Sequence, residues 1–170
     1  MTESDEIKVN MNFLTMRLGS KALDLFKALA PSRTRGFDDY CIITQSWHES
    51  GRYERVIGDW NFWGIKKPRA WVGKMHSIKT HEFVNGARVE VIDDFIDFEN
   101  CDLAVEWWCG LIERLYPQAY AVRAEPLRFF PSLISGRYQY ATDPRYADKL
   151  TELYCQISQY PALKNILALV

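Results

Sequence analysis

The dipeptide Asn85-Gly86 is the sharpest local constraint in this chain. Both residues accept positive φ, so together they favour the tight type I′ turn whose twist matches two antiparallel strands. They stand between two runs, His76 to Val84 and Ala87 to Phe95, rich in β-branched and aromatic residues. The arrangement predicts a β-hairpin lobe over about residues 75–96. A two-residue loop also fixes the register, with Val84 facing Ala87 and Glu82 facing Val89. Strand alternation then groups Ile78, Thr80, Glu82 and Val84 on one face.

Around this hairpin the periodicity is helical. Met11 to Ala30 reads as a helix behind Ser20 as N-cap, and Pro31 to Gly36 as a basic loop. Phe37 to Ser50 carries Tyr40, Ile43 and Trp47 on one stripe, with Gly51 as its stop and Glu49 in its last turn. Cys101 to Tyr116 follows an Asn100 cap and presents Ala104, Trp108, Leu111 and Leu115. Glu125-Pro126 opens a segment that Pro131 should kink or split. Asp143-Pro144 has the form of an N-cap followed by proline at the first helical position. Tyr146, Leu150, Leu153 and Ile157 then form an apolar face that Pro161 ends, and residues 162–170 add one short turn. The expectation is a mainly α (α+β) chain, organised as one domain over residues 1–170.

Charge and composition exclude several functions. Lysine and arginine total 21 against 22 aspartates and glutamates, a formal charge of -1. A dedicated nucleic-acid binder or a polybasic membrane anchor needs a marked positive excess. No run of about 18 apolar residues is present to span a membrane. The polar, acidic start has no signal-peptide pattern, which suggests cytosolic synthesis. Cys41, Cys101, Cys109 and Cys155 lack metal-ligand or CxxC spacing and read as reduced core residues. Neither metal nor cofactor is expected, although a metal-dependent hydrolase using His48, His76 and His81 is an alternative. Six Trp, nine Tyr and nine Phe bring aromatics to 14% of the chain, enough to supply both a core and a stacking surface.

The chemistry-bearing residues fall in an order that resembles glycoside hydrolase family 73, cell-wall glucosaminidases with a lysozyme-like fold. Gln45-Ser-Trp-His-Glu49-Ser-Gly51 resembles the segment around that family's catalytic glutamate. Asn61-Phe-Trp-Gly-Ile-Lys66 is similar to its Asn-x-Phe-Gly-Ile-Lys signature, and Trp71-Val-Gly73 to its Trp-x-Gly. Thr80-His-Glu82-Phe-Val-Asn85-Gly86 resembles its hairpin block, and Tyr140 to Leu150 its C-terminal signature. The five blocks keep the family's order over about residues 40–157. The resemblance implies a lysozyme-like helical domain with a projecting hairpin lobe. It also implies cofactor-free cleavage of the β-1,4 bond after N-acetylglucosamine in peptidoglycan. By family role Glu49 is the general acid, Glu82 the candidate second carboxylate and Tyr140 a residue near the reaction centre. Two departures bear on specificity: Gly51-Arg52-Tyr53 replaces the usual Gly-Trp-Gly, and Trp63 replaces Phe.

Elementary chemistry supports the same assignment of roles. Glycoside cleavage needs an acid for the leaving oxygen and an anionic or nucleophilic group for the oxocarbenium-like centre. A glutamate at a helix C-terminus beneath an aromatic loop is suited to the first task. Partial burial and the negative end of the helix dipole both disfavour its charge. Glu82 is either the second carboxylate or a polar edge residue; if it is remote, the substrate's own N-acetyl group takes the nucleophilic role. Tyr53, Trp63 and Trp71 are assigned to stacking on sugars. Asn61, Thr80 and Tyr138 complete the substrate-binding candidates, with a turn-closing role as the other reading of Asn61. Trp47, Trp107 and Trp108 are assigned to the core. A muramidase, or a catalytically silent glycan-binding module, is the alternative. The expected enzyme is a monomer whose partner is the glycan strand, acting on the wall after phage lysis or delivery by a secretion machine.

Overall fold

The structure, a computed structural model, describes residues 19–84 and 87–169, with the side chains of residues 81–84 and 87 outside the description. Helix α1 (Ser20–Lys27) buries Ala22, Leu25 and Phe26 on one side. Its N-cap is Gly19 at φ 83°, not Ser20, and the expected start near Met11 lies outside the described residues. The segment expected to be a basic loop forms α2 (Ala30–Thr34), since Pro31 in the first turn is preorganised for a helix. Helix α3 (Asp39–Glu49) starts where the Asp38 side chain accepts the Tyr40 N–H. It is buried without interruption from Cys41 to Ser46, so every face of its middle turns meets protein and it is the central helix.

Helix α4 (Cys101–Leu115) follows the expected cap, with Asn100 accepting the Leu103 N–H at 2.8 Å. Ala104 and Trp108 reach the core, whereas Leu115 is exposed because the last turn runs past it. Short helices α5 (Pro117–Ala121) and α6 (Pro126–Ser132) come next, and Pro131 sits inside the final turn of α6 without splitting it. Helix α7 (Tyr146–Ile157) begins two residues beyond Pro144. Asp143 spends its capping bonds on a preceding turn, its carboxylate accepting from Arg145 N and its carbonyl from Tyr146 N. Pro161 opens α8 (Pro161–Leu167) instead of ending α7. Cys41, Cys101 and Cys109 are buried as expected, but Cys155 is exposed. Burial pushes the Cys101 and Cys109 thiols up to about 12, so they stay protonated and unreactive.

Trp108 lies at the centre of the core. Its ring stacks on Trp63 (5.6 Å, 25°) and contacts Phe37 (5.1 Å) and Phe129 (6.1 Å). Trp47 and Trp107, expected in the core, pack only at its edge.

Strands β1 (Met75–Val84) and β2 (Ala87–Ile96) pair antiparallel in the predicted register, Val84 with Ala87 and Glu82 with Val89. Phe95 and Ile96 are buried at the base, while Ile92 is 68% exposed farther out, so the hairpin projects from the helical body. The irregular segment before it anchors that base. Ile96 N–H donates to Ile65 O and Lys67 N–H to Asp94 O, extending the sheet by a short third edge. Buried Asn61 locks this edge by accepting the Ile65 N–H and donating to the Ile65 and Ile96 carbonyls, all within 2.8–3.0 Å.

Replacing Asn61 with alanine removes the acceptor of the Ile65 N–H and a donor to the Ile96 carbonyl in a dry interior, while Ile65 O keeps the Ile96 N–H, at about 1–3 kcal/mol for each group left unpaired. Urea unfolding of Asn61→Ala is expected to show a lower midpoint by that order. An unchanged midpoint would contradict the anchoring role.

Candidate active site

Helix α3 ends at Glu49 because the backbone turns left-handed immediately afterwards. Gly51, Arg52 and Tyr53 have φ of 57°, 64° and 64°, a conformation only glycine adopts without cost. Arg52 is held by its N–H donating to Trp47 O at 2.8 Å, and Tyr53 by side-chain bonds. The Ser50 hydroxyl donates to Ser46 O (2.6 Å) and accepts from Tyr53 N (2.9 Å), while the Tyr53 and Ser46 hydroxyls lie 3.0 Å apart. The reversal leaves Glu49 at the exposed end of a buried helix.

The Glu49 carboxyl is met by tyrosines from two other parts of the chain. Tyr146, in the first turn of α7, donates its hydroxyl to Glu49 Oε1 at 2.5 Å. Tyr140 stacks on Tyr146 at 6.0 Å and 15°, and Tyr116, just past α4, lies 5.3 Å from Tyr140. Burial raises the Glu49 carboxyl above the ordinary glutamate range, and the Tyr146 hydrogen bond opposes that rise. Burial and the nearby Glu49 charge hold Tyr140 and Tyr146 well above the usual phenol range, so both remain neutral donors.

Glu49 borders two clefts. One, of about 400 Å³, lies between Glu49, the Trp63–Lys66 loop, Tyr116 and Tyr140. The other, of about 640 Å³, runs from Glu49 to the Arg55–Gly58 loop and the hairpin base at His76, Ile78 and Thr80. The Glu49 carboxyl therefore stands at the junction of two recesses.

Of the sequence-predicted residues, Glu49, Tyr140, Trp63 and Thr80 border these clefts. Glu82 stands two positions beyond Thr80 in β1, and its side chain lies outside the described residues. Tyr53 is buried, its hydroxyl turned to Ser46, so it is unavailable for stacking on a sugar. Asn61 is likewise buried and fully engaged by backbone, which is the turn-closing reading. Trp63 leaves little ring face free, being 3% exposed and stacked on Trp108. Trp71 packs edge-on to Trp107 (5.4 Å) with its indole N–H on Lys74 O. Tyr138 is half exposed and borders neither cleft. His48 packs edge-on to Tyr146 and His76 pairs with Asp97 at 3.2 Å. Among the described residues no three His, Cys, Asp or Glu side chains are grouped to hold a metal.

Sequence reasoning missed Tyr146, Tyr116 and Gln45. Tyr146 begins the 4-3-4 apolar stripe of α7 and was assigned to packing by that period. Gln45 precedes Glu49 by one helical turn, a spacing that places both on one face.

No family model matches the chain. FlgJ of Escherichia coli K12, a peptidoglycan hydrolase, is 30% identical over 132 residues, which is 74% of this chain and 42% of that protein. FlgJ of Salmonella typhimurium is 29% identical over the same length and shares. The solved structure of a C-terminally truncated glycoside hydrolase domain of Salmonella typhimurium FlgJ superposes with a TM-score of 0.60 at 27% identity, covering 81% of this chain and 99% of that one. The chain is similar to the FlgJ glycoside hydrolase domain. It spans 42% or less of the curated FlgJ proteins it matches. The family resemblance carried by the five blocks is borne out, as is the mainly α, lysozyme-like fold. The catalytic domain of the autolysin Auto from Listeria monocytogenes shares that fold, with a TM-score of 0.64 at 20% identity over 96% of this chain and 89% of that one. Among the described residues, no helix is long and apolar enough to cross a membrane.

The raised carboxyl of Glu49 has a consequence for stability. Folding favours its protonated form, so that contribution is complete below the ordinary glutamate value of 4.5 and is lost as pH rises through the higher folded value. Glutamine mimics the protonated form. Glu49→Gln is expected to melt at a higher temperature than wild type at about pH 8, and the gap should close by about pH 4. Calorimetry at the two pH values checks this; a variant less stable at about pH 8 would contradict it.

Proposed function

We propose that this chain is a peptidoglycan hydrolase that cleaves the β-1,4 bond after N-acetylglucosamine, with Glu49 as general acid. The observation that carries the reading is the place of Glu49, a buried carboxyl at the meeting point of two clefts. A linear polymer laid through both would put sugars on either side of the acid, as internal cleavage of a strand requires. A carboxyl raised by burial still holds its proton at pH values where ordinary glutamates have lost theirs. It gives that proton to the leaving glycosidic oxygen as positive charge develops on the ring.

Glu82 is our candidate for the second carboxylate. Thr80, two residues before it, borders the larger cleft with Glu49. With Glu82 as general base, a water attacks from the opposite face and the product is inverted; without it, the 2-acetamido oxygen attacks instead. Tyr140 borders the smaller cleft, where its neutral hydroxyl is a donor to the reacting sugar. Trp71, Tyr138 and the exposed margin of Trp63 are left as outlying sugar contacts. Both clefts are formed within one chain, which supports action as a monomer on the wall, reached after lysis or export.

Digestion of purified peptidoglycan followed by borohydride reduction and mass spectrometry tests the bond. Reduced glucosamine ends are expected; reduced muramic acid ends would reassign the chain as a muramidase. Glu49→Gln should lower the rate by about 10²–10⁴-fold, the usual worth of a positioned general acid. Equal rates for variant and wild type would overturn the assignment.

A further inference from the structure

We infer that Tyr146, backed by Gln45 and Trp108, is a positioning residue that fixes which oxygen of Glu49 carries the catalytic proton. The inference rests on Glu49 being the acid, and it comes from a buried line of hydrogen bonds. Trp108 Nε1–H donates to Gln45 Oε1 at 2.9 Å, Gln45 Nε2–H donates to Tyr146 Oη at 3.0 Å, and Tyr146 Oη–H donates to Glu49 Oε1 at 2.5 Å. Trp108 and Gln45 have no solvent exposure and Tyr146 has 2%.

The direction of this line is forced by chemistry. An indole nitrogen is a donor and never an acceptor, so the Gln45 carbonyl oxygen must face it. The Gln45 amide nitrogen then has to face Tyr146. Because it fills an acceptor site of the phenol, the phenolic hydrogen is left to point at the carboxyl. Oε1 is thereby committed as an acceptor, and the acidic proton of Glu49 belongs on Oε2. The phenol cannot swing away, since its ring is held between the stacked Tyr140 and the edge-on His48. A donor-only group in the centre of the core thus sets the proton order at the active carboxyl, three hydrogen bonds away.

Other polar groups face Glu49 as well. Tyr140, Tyr116 and Lys66 share the smaller cleft with it, and Arg55, His76 and Lys79 the larger; His48 is its neighbour on α3. Tyr146 donates a hydrogen bond to the carboxyl at 2.5 Å. Removing that bond leaves burial unopposed, so the carboxyl should titrate at higher pH.

The test is Tyr146→Phe, which keeps the ring and deletes the donor. Side-chain carbon NMR, with the Glu49 signal assigned by its loss in Glu49→Gln, should show Glu49 titrating at higher pH in the variant than in wild type. Turnover of glycan fragments should lose about tenfold in kcat, the scale of one hydrogen bond to a charged group, with KM changed by no more than about twofold. Gln45→Met cuts the line one bond earlier and should move the titration in the same direction. It serves as the readout if Tyr146→Phe does not fold. A Glu49 titration unchanged in the folded variants would overturn the inference. The titration needs no substrate, so its failure is distinct from failure of the glycosidase reading, which would show as wild-type protein without turnover.

Discussion

A carboxyl group removed from water must be protonated, hydrogen-bonded or paired with a cation, and the site is organised around how Glu49 meets that requirement. Helix α3 carries it out of the core to the rim, and the left-handed reversal at residues 51–53 stops the helix there. Burial alone would push the carboxyl steadily toward its neutral form. The Tyr146 hydroxyl checks that drift through its hydrogen bond to Oε1. Burial and the Tyr146 hydrogen bond thus make opposing demands on one carboxyl.

The same elements that satisfy this requirement shape the groove. Tyr146 and Tyr140 flank the turn that introduces α7, so packing of α7 against α3 sets both the carboxyl's partner and one wall of the smaller cleft. The hairpin supplies the other side. Its base is fastened to the helical body through Asn61 and the residue 65–67 edge, which fixes Ile78 and Thr80 opposite Glu49 across the larger cleft. Mechanical attachment of the lobe and shaping of the larger cleft are one arrangement.

Much of the fold was legible because it rests on local chemistry. Asn85-Gly86 fixed the strand register, and the cap at Asn100 fixed where one helix begins. The misses came where proline serves two purposes: Pro31 and Pro161 open short helices that their sequence context disguised as a loop and a stop. At the site, motif order located Glu49 and Tyr140. Burial, however, is a property of the whole fold, and local pattern did not show that Tyr53, Asn61 and Trp63 turn inward. Tyr146 and Gln45 were hidden for the opposite reason. Tyr146 sits on a helical stripe that reads as packing and Gln45 is only the first residue of the Glu49 block, and their hydrogen bonds join segments about a hundred positions apart, at separations of 97 and 101 residues.

The central claim is that a buried, protonated Glu49 is the proton donor. The most direct test is the pH dependence of kcat/KM for the wild-type chain on isolated glycan strands. The account predicts a descending alkaline limb whose midpoint lies above the ordinary glutamate value of 4.5, because activity is lost as the buried acid finally ionises. A rate that already falls with the ordinary carboxylate range, or that shows no alkaline limb at all, would contradict it.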